Sequence, residues 1–193
     1  LAIIWQYQPN GVPDFLYWAA PPERWVIESG TPFGWYCQMM ANFTKSPDLS
    51  KEYSDSDAAT RDYVMMCLLH DNLIYPIFCK PQAAWKAIKI KQDFGIADDA
   101  VEYFPYYGKK IPVKATNGKE IYAVSYKNGK KWLAIVGNAS LENQEILLCL
   151  NSDYIQSASN ITDAESGEIL SLASGEVKIS VPRRDYRMLL INE

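Results

Sequence analysis

The sequence predicts an α+β fold in which an aromatic-rich α/β segment precedes an all-β antiparallel sandwich. Over residues 1–108, apolar residues recur at helical spacing between short apolar runs, and this segment holds five of the six tryptophans. Over residues 109–193, apolar and polar residues alternate, and turn residues recur at short intervals. The second pattern is typical of short, half-buried strands. We therefore predict two domains, 1–108 and 109–193.

The first segment is predicted to contain two helices. The first begins with Ser56 as its N-cap residue. A second helix over 82–94 ends at Gly95, the residue type that most often follows a helix end. A short apolar run, 73–78, lies between them as a strand. One apolar face of the first helix follows the helical repeat and consists of Ala59, Tyr63, Met66, Cys67 and His70.

The order helix, buried strand, helix is the rhythm of a parallel α/β sheet or barrel. A complete (β/α)8 barrel needs eight such units and typically ~250 residues, and this chain has room for about two units. The first segment is therefore predicted to be a partial, barrel-end-like structure.

The second segment is predicted to form about seven short strands. Asn128-Gly129 lies between two strand-like runs, which is the strongest short-range hairpin signal, with both residues at positive φ. Further turns are expected at 165–167 and at Ser174-Gly175. The predicted strands are 120–126, 131–136, 146–150, 161–162, 168–170, 177–181 and 186–191.

Composition excludes several classes of protein. The net charge of −4 provides no basic face for nucleic acid, and no apolar run reaches the ~18 residues of a membrane span. Four cysteines without a Cys-x-x-Cys pair and one histidine do not form a metal-binding pattern, and no cofactor is expected. The chain opens at Leu1 on a strand-like run without a signal peptide, so we expect either a removed leader or a fragment of a longer polypeptide.

Several segments resemble a known family. The block 121–193 resembles the C-terminal β-sandwich that follows the catalytic barrel in many glycoside hydrolases. The likeness lies in the segments 122–126, Trp132 to Asn138, Ile161 to Glu168 and Val181 to Leu189. Upstream, the segments 33–36, 60–63, 68–71 and 104–107 resemble the last βα units of an uncharacterised glycoside-hydrolase-like family of polysaccharide-degrading bacteria.

The resemblance implies a bacterial, periplasmic or extracellular protein with carbohydrate as its partner. It also implies that most residues of an active site lie upstream of Leu1, so that the isolated chain is inactive and the upstream part of its own polypeptide is a further partner. Three hypotheses follow. The chain is the C-terminal part of a carbohydrate-active enzyme, a stand-alone carbohydrate-binding protein without a barrel, or a structural accessory domain.

Glycoside hydrolysis usually needs two carboxylates that flank the scissile bond. The candidates here are Asp14 and Glu28, in a Pro- and Gly-rich stretch, and Asp71. Glu28 lies among aromatic residues, where desolvation would raise the pKa of a carboxyl group. The alternative is that all three are ordinary loop carboxylates or helix caps, since no pair is marked by its spacing.

Aromatic residues crowd the first 36 positions, and such rings stack on the C–H faces of sugars. The sugar-binding candidates are Trp5, Tyr7, Trp18, Trp25 and Trp35, together with His70. Packing between the barrel remnant and the sandwich is the alternative for the aromatic residues. For His70, the alternatives are a base or sugar ligand and a half-buried histidine at a helix end.

Overall fold

The structure, a computed structural model, describes residues 3–7, 37–41, 57–76 and 79–193. The chain divides into an N-terminal unit, residues 1–88, and a C-terminal unit, residues 89–193. Two helices and two antiparallel sheets dominate the described part, which confirms the predicted α+β fold with its sandwich. The predicted domain boundary after residue 108 stays a prediction.

The N-terminal unit contains a parallel three-stranded sheet. Its strands are β1 (Ile3–Tyr7), β2 (Cys37–Ala41) and β3 (Leu73–Tyr75), in that order. Helix α1 (Asp57–Leu69) connects the second and third strands, and helix α2 (Pro81–Phe94) follows the third. Parallel neighbours need a crossover connection, and α1 lies in one of them. The predicted rhythm of helix, short strand and helix is confirmed.

Helix α1 is buried around almost its whole circumference. The predicted apolar face is buried, but Val64, Met65 and Leu68, on its other sides, are also fully buried. The prediction of a single buried face was therefore too narrow. The burial also includes the polar residues Thr60 and Asp62, and Arg61 is the one residue between Ala59 and Leu69 that is more than marginally accessible.

The C-terminal unit contains ten strands in two sheets. The six-stranded sheet has the order β10-β9-β13-β7-β6-β4 and the four-stranded sheet the order β11-β12-β8-β5. All their pairings are antiparallel. The strands are β4 (Glu102–Phe104), β5 (Val113–Ala115), β6 (Ile121–Asn128), β7 (Lys131–Asn138), β8 (Gln144–Leu150), β9 (Asn160–Asp163), β10 (Ile169–Leu170), β11 (Leu172–Ala173), β12 (Glu176–Val181) and β13 (Asp185–Asn192).

The sandwich core lies between the two sheets. Trp132 and Val136 of β7 pack there with Ile146 of β8 and Val177 of β12. The intervening residues of β7 face the other way and are equally buried, as Leu133 shows. The six-stranded sheet is therefore apolar on both faces at β7, where strict alternation would place polar residues.

Two hairpin turns of the sandwich can be compared with the turns predicted from the sequence. Ser174 and Gly175 join β11 to β12 as the sequence predicted, and both φ angles are positive, at 52° and 80°. The prediction for Asn128-Gly129 was wrong by one residue, because Asn128 pairs with Lys131 as the end of β6. Gly129 takes a φ of 59° as the first of the two loop residues.

The side chain of Asn128 forms a hydrogen bond with the end of helix α2. Its Nδ2 donates a hydrogen bond to the carbonyl oxygen of Phe94, the last residue of α2, at 3.1 Å. The following residue, Gly95, has a φ of 86° and ends the helix as predicted. Asn128 thus caps a helix carbonyl from the neighbouring strand.

A buried amide closes one end of the sandwich. Asn138 is fully buried at the end of β7, and its Nδ2 donates to the carbonyl oxygens of Glu142 at 2.8 Å and Val181 at 3.0 Å. Its Oδ1 accepts from Ser140 Oγ at 2.7 Å and from Gln144 Nε2 at 3.0 Å. The Gly-Asn strand end that carries the family resemblance therefore connects the end of β7 to β8 and β12 by hydrogen bonds.

The Asp-x-x-Ser-Gly-Glu turn is likewise held by a buried polar side chain. Asp163 is almost fully buried, and its Oδ1 accepts from the backbone N of Ser166 at 2.8 Å and from the Ser166 hydroxyl at 3.0 Å. Its Oδ2 lies 3.3 Å from Arg187 Nη1. Gly167 completes the turn with a φ of 77°. This motif fixes the connection between β9 and β10.

Candidate functional site

The carboxyl ends of the three parallel strands lie along one edge of the sheet. Tyr7 pairs with Ala41, so β1 and β2 end together, and Tyr75 pairs with Met40 one residue earlier. In parallel α/β structures, the loops that leave this edge carry the active site, because the scaffold positions several of them side by side. We call it the carboxyl edge and take it as the candidate site.

Most of the predicted site residues belong to the segment that leaves the carboxyl edge after β1. This segment, residues 8–36, contains Asp14, Trp18, Trp25, Glu28 and Trp35, all of which lie outside the described residues. Trp5 and Tyr7 belong to β1, where their backbones pair with Met39 and Ala41, but their side chains are also outside the described part. The predicted roles of these residues stay predictions.

A small hydrogen-bonded cluster follows β3. The backbone N of Lys80 donates to Thr60 Oγ1 at 2.8 Å, and Thr60 is fully buried near the start of α1. Burial raises the pKa of the Cys79 thiol, against a smaller lowering by a hydrogen bond with Thr60. Thr60 therefore holds the start of α2 to α1, and Cys79 remains a thiol at neutral pH. The sequence signal for Thr60 was a hydroxyl residue next to Ala59 of the predicted apolar face.

His70 and Asp71 lie at the opposite edge of the sheet, just before β3 begins. His70 is buried, and its Nδ1 lies 2.8 Å from the carbonyl oxygen of Met66, to which it donates. Burial lowers the pKa of His70 from 6.5 to about 4, although the hydrogen bond to Met66 acts in the other direction. The imidazole is therefore neutral at neutral pH.

Asp71 has a left-handed backbone with a φ of 52° in the turn that ends α1. Asp and Asn tolerate this conformation better than most residues. The structure thus brings His70 and Asp71 together in the connection between α1 and β3, away from the carboxyl edge. This placement favours the alternative of a structural role at the end of α1, where His70 bonds to a helix carbonyl and Asp71 forms the turn.

Within the described ranges, no group of three or more His, Cys, Asp or Glu side chains could hold a metal ion. None of the helices in the described part is long and apolar enough to cross a membrane.

Neither a protein-family model nor a curated protein matches this sequence. Solved structures do. The chain is similar to a β-L-arabinopyranosidase of glycoside hydrolase family 27 from Geobacillus stearothermophilus, with 8% identity, a TM-score of 0.62, and coverage of 98% of this chain and 45% of the other. It is also similar to a putative α-N-acetylgalactosaminidase from Bacillus halodurans, with 10% identity, a TM-score of 0.52, and coverage of 71% and 32%.

At this level of identity the comparison concerns the fold. The class of fold is therefore that of a part of these glycoside hydrolases, which confirms the predicted resemblance at the level of structure. The chain spans less than half the length of either solved structure.

Proposed function

We propose that this chain is the C-terminal part of a carbohydrate-active, glycoside-hydrolase-like protein, in which the sandwich supports a sugar-binding or catalytic barrel. One observation carries the proposal. A parallel sheet with its crossover helix and an antiparallel sandwich follow one another in a single chain. The alignment to a part of a family 27 arabinopyranosidase covers 98% of that chain with a TM-score of 0.62.

The edges of the parallel sheet support the proposal. Among the described strands, β1 and β3 each pair with β2 and with no other strand. A strand in a closed barrel has two neighbours, and an open edge is prone to pair with another chain. Leu73, at the start of β3, is 47% exposed. The partner that we propose for these edges is the upstream part of the same polypeptide.

The proposed chemistry uses two carboxylates on either side of a glycosidic bond. One protonates the leaving oxygen, and the other attacks the sugar or activates water. Asp14 and Glu28 belong to the segment that leaves the carboxyl edge, so they are better placed in the chain than Asp71, which follows α1 at the opposite edge. We propose that the aromatic side chains of the same segment stack on the sugar.

The test compares the 193-residue chain with the full polypeptide encoded by its gene. We expect the full polypeptide to hydrolyse chromogenic glycosides and the shorter chain to be inactive. We also expect the shorter chain to bind more hydrophobic dye, because the missing strands leave apolar surface exposed. Clear turnover by the shorter chain, or dye binding no stronger than that of the full polypeptide, contradicts the proposal.

A second candidate is a stand-alone carbohydrate-binding or structural sandwich protein. The closed core between the two sheets of the C-terminal unit favours it, because such a core can stabilise a domain without a barrel. The intact mass of the natural protein distinguishes the two candidates. A mass equal to that of this chain favours the stand-alone protein, and a mass several hundred residues larger favours the hydrolase. For either candidate we propose a bacterial periplasmic or extracellular location, which fractionation of the source cells tests.

A further inference from the structure

The connection between β4 and β5 presents two tyrosines on a rigid turn. The backbone N of Gly108 donates to the carbonyl oxygen of Pro105 at 3.0 Å, which closes a four-residue turn around Tyr106 and Tyr107. A Cβ atom on Gly108 would lie 3.1 Å from that carbonyl oxygen, tighter than ordinary contact, so glycine suits the position. The two aromatic side chains therefore start from a fixed backbone.

A third tyrosine anchors this pair to the six-stranded sheet. The ring of Tyr106 lies 4.8 Å from the ring of Tyr122 in β6, with 48° between the ring planes. Tyr107 packs against Tyr106 nearly at right angles, with centroids 5.1 Å apart. Tyr122 lies opposite Gly137 in β7, which has no side chain to crowd the ring. We call Tyr106, Tyr107 and Tyr122 the tyrosine cluster.

The cluster is open to solvent on one side. Tyr107 is 39% exposed, and Tyr106 and Tyr122 are half-buried. Edge-to-face and tilted ring pairs at these distances stabilise one another, so the exposed ring is held in place before any ligand arrives. A tyrosine also has only two side-chain torsions, so fixing it costs little conformational entropy.

We propose that the tyrosine cluster binds a neutral pyranose ring of a polysaccharide. The sugar stacks on the exposed ring of Tyr107 through its apolar C–H face. The cluster offers aromatic rings as its contact surface, which favours a neutral ligand with an apolar face. This site lies on the sandwich, so it goes beyond the proposed function, in which the carboxyl edge of the parallel sheet binds the sugar.

The test is affinity electrophoresis of the whole 193-residue chain in native gels that contain galactomannan, xylan or amylopectin. We expect at least one of these polysaccharides to retard the chain. Tyr107→Ala should weaken the retardation about tenfold, the loss expected for one aromatic contact. Tyr107→Phe keeps the ring and should retain most of the binding. Trp85→Ala is the matched control, because Trp85 is an exposed aromatic residue at 54% on helix α2, and we expect no change.

Three results overturn the proposal. They are no retardation by any of the three polysaccharides, retardation that Tyr107→Ala leaves intact, and equal losses for Tyr107→Ala and Trp85→Ala. Circular dichroism verifies that each variant is folded. The assay measures binding without turnover, so the failure of the proposed hydrolase function and the failure of this site give different results.

Discussion

His70 should make the stability of the N-terminal unit depend on pH. Burial lowers its pKa from 6.5 to about 4 in the folded chain, while an unfolded histidine keeps a pKa near 6.5. Between these values the unfolded chain binds a proton that the folded chain does not. The stabilising effect of the neutral imidazole is therefore complete above pH ~6.5 and is lost as the pH falls to about 4. The loss amounts to about 3 kcal/mol, a large part of the ~5–15 kcal/mol that stabilises a typical domain.

The measurement is urea unfolding of the chain and of His70→Gln at several pH values in this window, followed by tryptophan fluorescence. Five of the six tryptophans precede residue 88, so the signal reports mainly on the N-terminal unit. Glutamine can still donate to the Met66 carbonyl but does not titrate. We expect the variant to lose about 3 kcal/mol less than the natural chain between neutral pH and pH ~4. Carboxylates titrate in both proteins and cancel in the difference. An equal decline in both proteins would show that His70 is not held neutral by burial.

Two further predictions concern other polar groups. Asn138→Ala should destabilise the sandwich by about 3 kcal/mol, since it removes several buried hydrogen bonds of the amide at ~1 kcal/mol each. Hydrogen exchange of β7 and β8 measures this loss of stability. The control is Asn160→Ala on the exposed end of β9, which should cost under ~0.5 kcal/mol. Equal losses for the two variants would refute the structural role of Asn138. In the full polypeptide, Glu28→Gln should lower kcat about a hundredfold or more while Asp71→Asn leaves it unchanged. The reverse pattern in a chromogenic assay would place the catalytic carboxylate at the opposite edge.

Local patterns predicted most of the sandwich, and the errors have physical causes. The two-residue turn at Ser174-Gly175 is as predicted because Gly175 accepts its positive φ and the flanking residues Ala173 and Glu176 pair directly. At Asn128 the same signal was wrong by one residue, because the amide side chain caps α2 instead, a contact across 34 positions that local sequence cannot reveal. The short strands β4, β5 and β11 were missed, since two or three residues do not show an alternation.

The candidate site was less accessible to sequence reasoning than the fold. Carboxylates carry no mark of their function without a partner at a known distance, so Asp14 and Glu28 were chosen by their surroundings alone. Asp71 looked equivalent in sequence, but the direction of β3 places it at the amino end of that strand. Thr60 and the tyrosine cluster were not recognised because their roles depend on contacts between elements that are distant in sequence.

The buried amide of Asn138 also bears on how this protein can be produced. Three segments match the acceptor pattern for N-linked glycans, namely Asn42-Phe43-Thr44, Asn138-Ala139-Ser140 and Asn160-Ile161-Thr162. Asn160 is exposed, whereas Asn138 is fully buried and its Nδ2 is engaged with three carbonyl oxygens. Oligosaccharide attached to Asn138 during synthesis would have no room in the folded sandwich. A host that does not glycosylate secreted chains is therefore the suitable source of folded material, and a glycosylating host needs a substitution that removes this acceptor pattern and keeps the asparagine.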